Sequence, residues 1–197
     1  MVARMSVGVV PDSGRLAGIV TTSELRRAGV TEARIMWLVG QSVLISVGRG
    51  LYARFADVSA LSAVPGGPSA LRIAAAAAAV GTQTVGSHRD AARIHGLDLL
   101  GRRGPDAVAV TREPGLGGSK TSRPGIRLHI AALPPEHRAV RLGAPVTSVA
   151  RTVIDLARTI PFREGVVVAD SALRRELTTK AELGDLMQGF DRWPGIR

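Results

Sequence analysis

Four stretches of this 197-residue chain carry residue types that could do chemistry. Val47-Gly48-Arg49-Gly50-Leu51-Tyr52-Ala53 fits G-x-G-x-x-G/A, the turn that cradles a dinucleotide pyrophosphate. The same residues fit a β-hairpin whose tip offers an arginine to a nucleic-acid backbone. His88, Asp90 and His95 invite a metal or acid–base reading, and Asp155, Asp170 and Glu176 a metal-dependent nuclease reading. Arg112, Lys120, Arg123 and Arg127 form a basic cluster around a glycine-rich loop, suited either to a solvated loop or to a phosphate or acidic partner. There is no cysteine, which excludes disulfides, thiolate metal sites and cysteine nucleophiles.

Context decides among these. A dinucleotide turn must open directly into a helix and be followed, about 20 residues on, by an acid that holds the ribose. Here Leu51 to Phe55 alternate like a strand, and no carboxylate lies between Asp57 and Asp90. The hairpin reading is preferred. On one helix His88 and His95 stand about 10 Å apart along the axis, too far to share a metal without another ligand segment. Asp90 and His95 instead suit the first turn and the last turn of a short helix. Asp155 and Asp170 pair naturally with Arg151 and Arg174 at i,i+4 spacing, and no E-x-K or D-x-D cluster supports a nuclease. The expectation is a protein without enzymatic activity, metal or cofactor.

The elements that would position these residues can be read in order. Thr21-x-x-Glu24 is a capping box opening a short helix that ends at Gly29. Thr31 caps a second helix, which buries Ile35, Leu38 and Val39 on one stripe. Its outer face holds Ala33, Met36, Trp37 and Gly40, with Arg34 and Gln41 on the shoulders. Val43–Val47 and Leu51–Arg54 read as two strands joined across Gly48-Arg49-Gly50. Helix, turn, helix, hairpin is the order of a winged helix-turn-helix, placed at residues 15–58.

Residues 59–70, rich in small residues, Pro and Gly, read as a linker. A second domain, 71–190, is expected to be a mixed α/β unit with a small antiparallel sheet and C-terminal helices. It begins with an alanine-rich helix over 71–80 and a Ser87-capped helix to Ile94. Strands are expected at 107–111, 126–131 and 140–142. A Thr147-capped helix, a helix over 164–177 and a capping box at Thr179-x-x-Glu182 complete it. The fold class expected is therefore α+β.

The net charge of +10 favours an anionic partner, and only Lys120 and Lys180 among the basic residues are lysine. Residues 1–60 hold seven arginines and four carboxylates, so most of the surplus lies further along. Few phosphate contacts imply modest, salt-sensitive affinity for one copy, hence binding as a homodimer or through both domains. The apolar run Ile73–Val80 is far shorter than a bilayer requires, and Val7–Val10 meets Pro11 too soon for a secretory signal. A cytoplasmic protein with no membrane partner is expected.

The segments "GIVTTSELRRAGVTEARIMWLV" and "RGLYAR" resemble the winged-helix domain of AbiEi-type antitoxins of type IV toxin–antitoxin systems. "SHRDAARIHGLDLLG", "GAPVTSVARTVIDLAR" and "VVVADSALRRELTTKAEL" are similar to segments C-terminal to that domain in many members, so the resemblance runs from Gly18 to Leu183. It implies an autorepressor that binds double-stranded DNA at its own promoter and counteracts a nucleotidyltransferase-like toxin in abortive infection. Members commonly carry several basic residues from recognition helix into wing, where this chain has Trp37, Gly40, Val43, Ser46 and Gly48. The residues expected at DNA are Arg26 and Arg27 on the backbone, Thr31, Arg34, Trp37 and Gln41 on the second helix, and Arg49 at the wing. Two other readings stand beside this one. One is an interaction module that no longer reads DNA and uses Met36 and Trp37. The other is a truncated remnant of a protein fused to a very-short-patch-repair-like endonuclease, since longer relatives continue into such a segment near "RWPGIR".

Overall fold

The computed structural model describes residues 10–81, 83–101, 107–116 and 124–189. Its architecture is mixed α+β, with a three-stranded antiparallel sheet and a five-stranded mixed sheet. A short 3-10 turn, Leu16–Gly18, leads into β1 (Val20–Thr21), α1 (Thr22–Arg27), α2 (Glu32–Gly40), β2 (Leu44–Gly48) and β3 (Leu51–Arg54). The Thr21–Glu24 capping box forms as expected: the Thr21 hydroxyl accepts from the Glu24 N–H, and the Glu24 carboxylate accepts from the Thr21 N–H. Thr31 caps α2 by accepting from the Arg34 N–H. Leu25, Val30, Ile35, Leu38 and Leu44 close the core beneath these elements, with Val39 partly buried beside them. β1, β3 and β2 pair in that order.

The expected linker is not one. Residues 59–70 belong to α3 (Phe55–Ser62), a tight corner, and the start of α4 (Gly67–Val80). A Cβ on Gly67 would lie 1.7 Å from the Leu61 carbonyl oxygen, so only glycine lets the two helices meet there. Gly67, Ser69 and Ala70 are buried where α4 begins, whereas Ser59, Ala60, Ser62 and Ala63 are exposed on the outer side of the corner. Ala74 and Ala75 of α4 share a core cluster with Ile19, Leu51, Ala53 and Val58, joining the N-terminal elements to the second half of the chain.

The second sheet takes the order β6-β5-β4-β8-β7, from β4 (Val85–Gly86), β5 (Val108–Arg112), β6 (Ile126–Ile130), β7 (Arg138–Arg141) and β8 (Ala144–Thr147). The expectation of an antiparallel sheet is corrected: β5 runs parallel to β6, with Thr111 opposite His129, and β4 runs parallel to β8. β4–β5 and β7–β8 are antiparallel. The connection from β5 to β6 is therefore a crossover and not a hairpin.

α4 lends Ile73 and Ala76 to a cluster with Val108, Val110 and Val146. α5 (His88–His95), α6 (Val149–Ala157) and α7 (Phe162–Arg174) form another around Ala92, Val153, Leu156, Val168 and Ala172. α8 (Lys180–Gln188) opens with the expected Thr179–Glu182 box. Three further expectations are corrected locally. α6 is capped by Ser148, because Thr147 ends β8 and spends its hydroxyl on Thr152. Ser87 precedes α5 but does not cap it; its hydroxyl faces Thr111 and His88. α7 begins at Phe162 and stops at Arg174, with Glu176 at φ 55° turning the chain out of the helix.

Candidate nucleic-acid interface

Burial of Ile35 and Leu38 fixes the rotation of α2 and turns its other side outward. Thr31, Ala33, Met36, Trp37, Gly40 and Gln41 are exposed there, Met36 at 63% and Trp37 at 44%. Arg34 does not extend freely: its guanidinium lies 4.0 Å from the centre of the Trp37 ring, a cation–π contact. That stack holds the charge of Arg34 against the helix surface and covers part of the indole.

The hairpin turn sits beside α1. The Gly50 carbonyl accepts from the Thr22 N–H at 2.9 Å and from the Thr22 hydroxyl at 3.2 Å. Gly50, at φ 69°, makes the turn, whereas Gly48 sits at a bulge with an ordinary φ. Arg49 is thereby left exposed at the tip. One side of the hairpin leans on α4 through Ile45 and Val47. Arg49 and Arg72 both line a cleft of about 770 Å³ between the hairpin and the second sheet.

Arg27 is exposed at the end of α1, and Arg26 is exposed but paired with Glu32 in the first turn of α2. A phosphate approaching there must compete with that carboxylate. Arg15 grips Glu24 with two hydrogen bonds, at 2.8 and 2.9 Å, and holds its carboxyl down at about 2. This pair braces α1 against the preceding turn. On α1, α2 and the hairpin, Arg26, Arg27, Thr31, Trp37, Gln41 and Arg49 are exposed, Arg34 is half-buried against Trp37, and Glu32 is exposed beside Arg26.

Of the second basic cluster, Arg112 and Arg127 lie among the described residues. Arg112 lies inside β5, 1% exposed, and donates toward the Val80 carbonyl at the end of α4, where helix carbonyls favour a cation. Arg127 is exposed on the edge strand β6, while Lys120 and Arg123 lie outside the described residues.

The enzyme-like sets also come apart. Asp90 pairs with Arg72 at 3.3 Å and Arg93 at 3.4 Å. His95 donates from Nε2 to the Thr147 carbonyl at 2.7 Å. Asp155 is buried with Arg151, Nε to Oδ2 3.0 Å; burial pushes its carboxyl up while Arg151 pulls it down. Asp170 meets Arg174 at 3.6 Å on the surface, and Glu176 is exposed. Among the described residues no three histidine or carboxylate side chains gather to hold a metal ion, and no helix is long and apolar enough to cross a membrane.

His129 belongs to no sequence motif, yet its ring stacks on that of His88. That meeting depends on the parallel register of β5 and β6, for which no local signal exists. No family model matches the chain, and no curated protein matches it significantly.

Proposed function

We propose that the chain is a DNA-binding autorepressor of the AbiEi antitoxin type, reading its own promoter through an N-terminal winged helix-turn-helix. In this reading α2 enters the major groove and the β2–β3 hairpin is the wing. The observation that carries it is the outward face of α2, fixed by buried Ile35 and Leu38, together with Arg49 exposed at the hairpin tip. Arg49 and Arg27 then contact phosphates, and Gln41 and Arg34 approach base edges. Arg34 must leave Trp37 to do so, and Arg26 must leave Glu32. Such a surface binds modestly per copy, so a cytoplasmic homodimer on a two-fold operator is the working form. The second half of the chain would meet a nucleotidyltransferase-like toxin. A gel shift on the upstream DNA of its own gene tests this: a salt-sensitive band at micromolar protein supports it, and the absence of one ends it.

A second reading rests on the same helix. Met36 and Trp37 expose more apolar area than a base-reading face needs, and α2 could instead dock a protein. Duplex binding retained by Met36→Ser would favour DNA. A co-purifying protein that is lost with Met36→Ser and indifferent to added duplex would favour docking.

A further inference from the structure

Helix α4 lies between the two sheets and has to face both. Ala74 and Ala75 share a core with Leu51 and Ala53 of the hairpin side, while Ile73 and Ala76 share one with Val108 and Val110 of the second sheet. Arg72, Ala75, Ala76 and Ala79 follow one another at i, i+3, i+4 and i+7, so they lie on one face of the helix. Three of those four side chains are single methyl groups, too short to fill the space between the hairpin and the second sheet. A cleft of about 770 Å³ remains there, with Val47 and Leu51 on the hairpin wall, Val108 and Ile126 on the opposite wall and the α4 alanines as its floor. Protein interiors leave few voids larger than a water molecule, whereas small-molecule sites are usually apolar clefts of ~300–1,000 Å³ with a few placed polar groups. This cleft has the second form.

The polar groups decide what can enter. Among the described residues that line the cleft, Arg49 and Arg72 are the only ionisable ones, and both are cations. Arg72 is half-buried and anchored by Asp90 at 3.3 Å, so it stays on the wall and is not a clamp. Asp90 is shared with Arg93 at 3.4 Å, so two guanidinium groups stand over one carboxylate and the wall keeps a positive surplus. Arg49 is exposed on the rim, where it supplies the planar fork that an incoming carboxylate pairs with. A cation is repelled by both arginines, and a neutral apolar molecule gains nothing from either. An apolar body with one anionic head satisfies the walls and the rim together.

We propose that this cleft binds a small apolar carboxylate, its hydrocarbon body lying on Ala75, Ala76 and Ala79 and its head group paired with Arg49. Arg72 adds positive potential from the wall. The proposal concerns the cleft alone and does not rest on the reading of α2. Octanoate is the probe and 1-octanol its neutral counterpart, each titrated by calorimetry at constant ionic strength into the full chain, without DNA. The parent is compared with Arg49→Gln and Ala79→Leu. Arg49→Gln changes an exposed residue at a hairpin tip and retains the fold, whereas Ala79→Leu extends a side chain into the cleft and is checked by circular dichroism. The expected result is saturable binding of octanoate at one site per chain, weaker for octanol and weaker by about threefold or more in Arg49→Gln, the scale of one exposed ion pair. Binding should be lost in Ala79→Leu with a native spectrum; if that variant does not fold, Arg49→Gln and octanol decide the matter. No saturable octanoate binding, octanol bound as tightly as octanoate, or parental affinity in Arg49→Gln or in folded Ala79→Leu overturns the proposal.

Discussion

Arg49 and Arg34 divide the candidate contact between them. Arg49 stands clear of the hairpin and has nothing to read, so it should act as a phosphate clamp. Arg49→Ala is expected to weaken binding to all duplexes alike and to lower the salt slope by about one, measured by anisotropy across a salt series. Arg34 lies on Trp37 at the shoulder of α2, and Arg34→Ala should change sequence preference more than affinity. Equal, sequence-independent losses from both would contradict these roles. Histidines set the acid response. Burial lowers His88 to about 3 and also lowers His95, His129 and His137. Unfolded histidines take up protons near 6.5 while the folded ones resist, so stability is full above that value and falls as pH drops below it. Glu24, held at about 2, adds a loss only below the ordinary carboxylate range, and Asp155, raised by burial, works in the opposite direction. The urea midpoint should therefore drop between about pH 7.5 and 5.5, less steeply in His129→Phe; a flat profile would contradict it. None of the His88–His129 pairing was legible in the sequence, because it joins distant residues through a strand register.

Among elements, the corner between α3 and α4 tests the architecture most sharply. If residues 59–70 were a flexible linker, Gly67→Ala would be neutral or slightly stabilising, since it restricts the unfolded chain. With the Leu61 carbonyl oxygen 1.7 Å from the added carbon, the helices must part, and a loss of about 1–3 kcal/mol by urea unfolding is expected. The capping boxes at Thr21 and Thr179 could be read directly, because both partners lie three residues apart and the pattern needs no distant contact. The buried stripe of α2 was legible for the same reason, and with it the outward face that forms the candidate site. Strand direction was not: alternation of apolar residues in β5 and β6 is the same whether they run parallel or antiparallel. Nor was the burial of Arg112, which depends on the far end of α4 arriving beside β5. An arginine-rich, alanine-rich sequence gives little contrast between a packed corner and a loop, so small residues at 59–70 pointed the wrong way.

At the scale of the whole molecule, the two sheets share a core through α4, whose Ala74 and Ala75 pack with Ile19, Leu51 and Val58 while Ile73 faces Val108 and Val110. Unfolding should accordingly be a single cooperative transition, with circular dichroism and Trp37-sensitive fluorescence coincident in urea; two separated midpoints would mean independent domains. The same cluster seats the hairpin against α4 through Ile45 and Val47, so that in the proposed complex Arg49 would meet the backbone from a fixed position. Everything proposed for α2 and the hairpin depends on whether that surface holds DNA at all. The most direct measurement is the anisotropy of the gene's own upstream duplex, against a scrambled duplex of equal composition, titrated with the full chain at several salt concentrations. Micromolar or tighter binding that falls with salt, and is at least tenfold tighter for the upstream duplex, is the predicted result. Absence of saturable binding, or equal affinity for both duplexes, would contradict a sequence-reading role for α2.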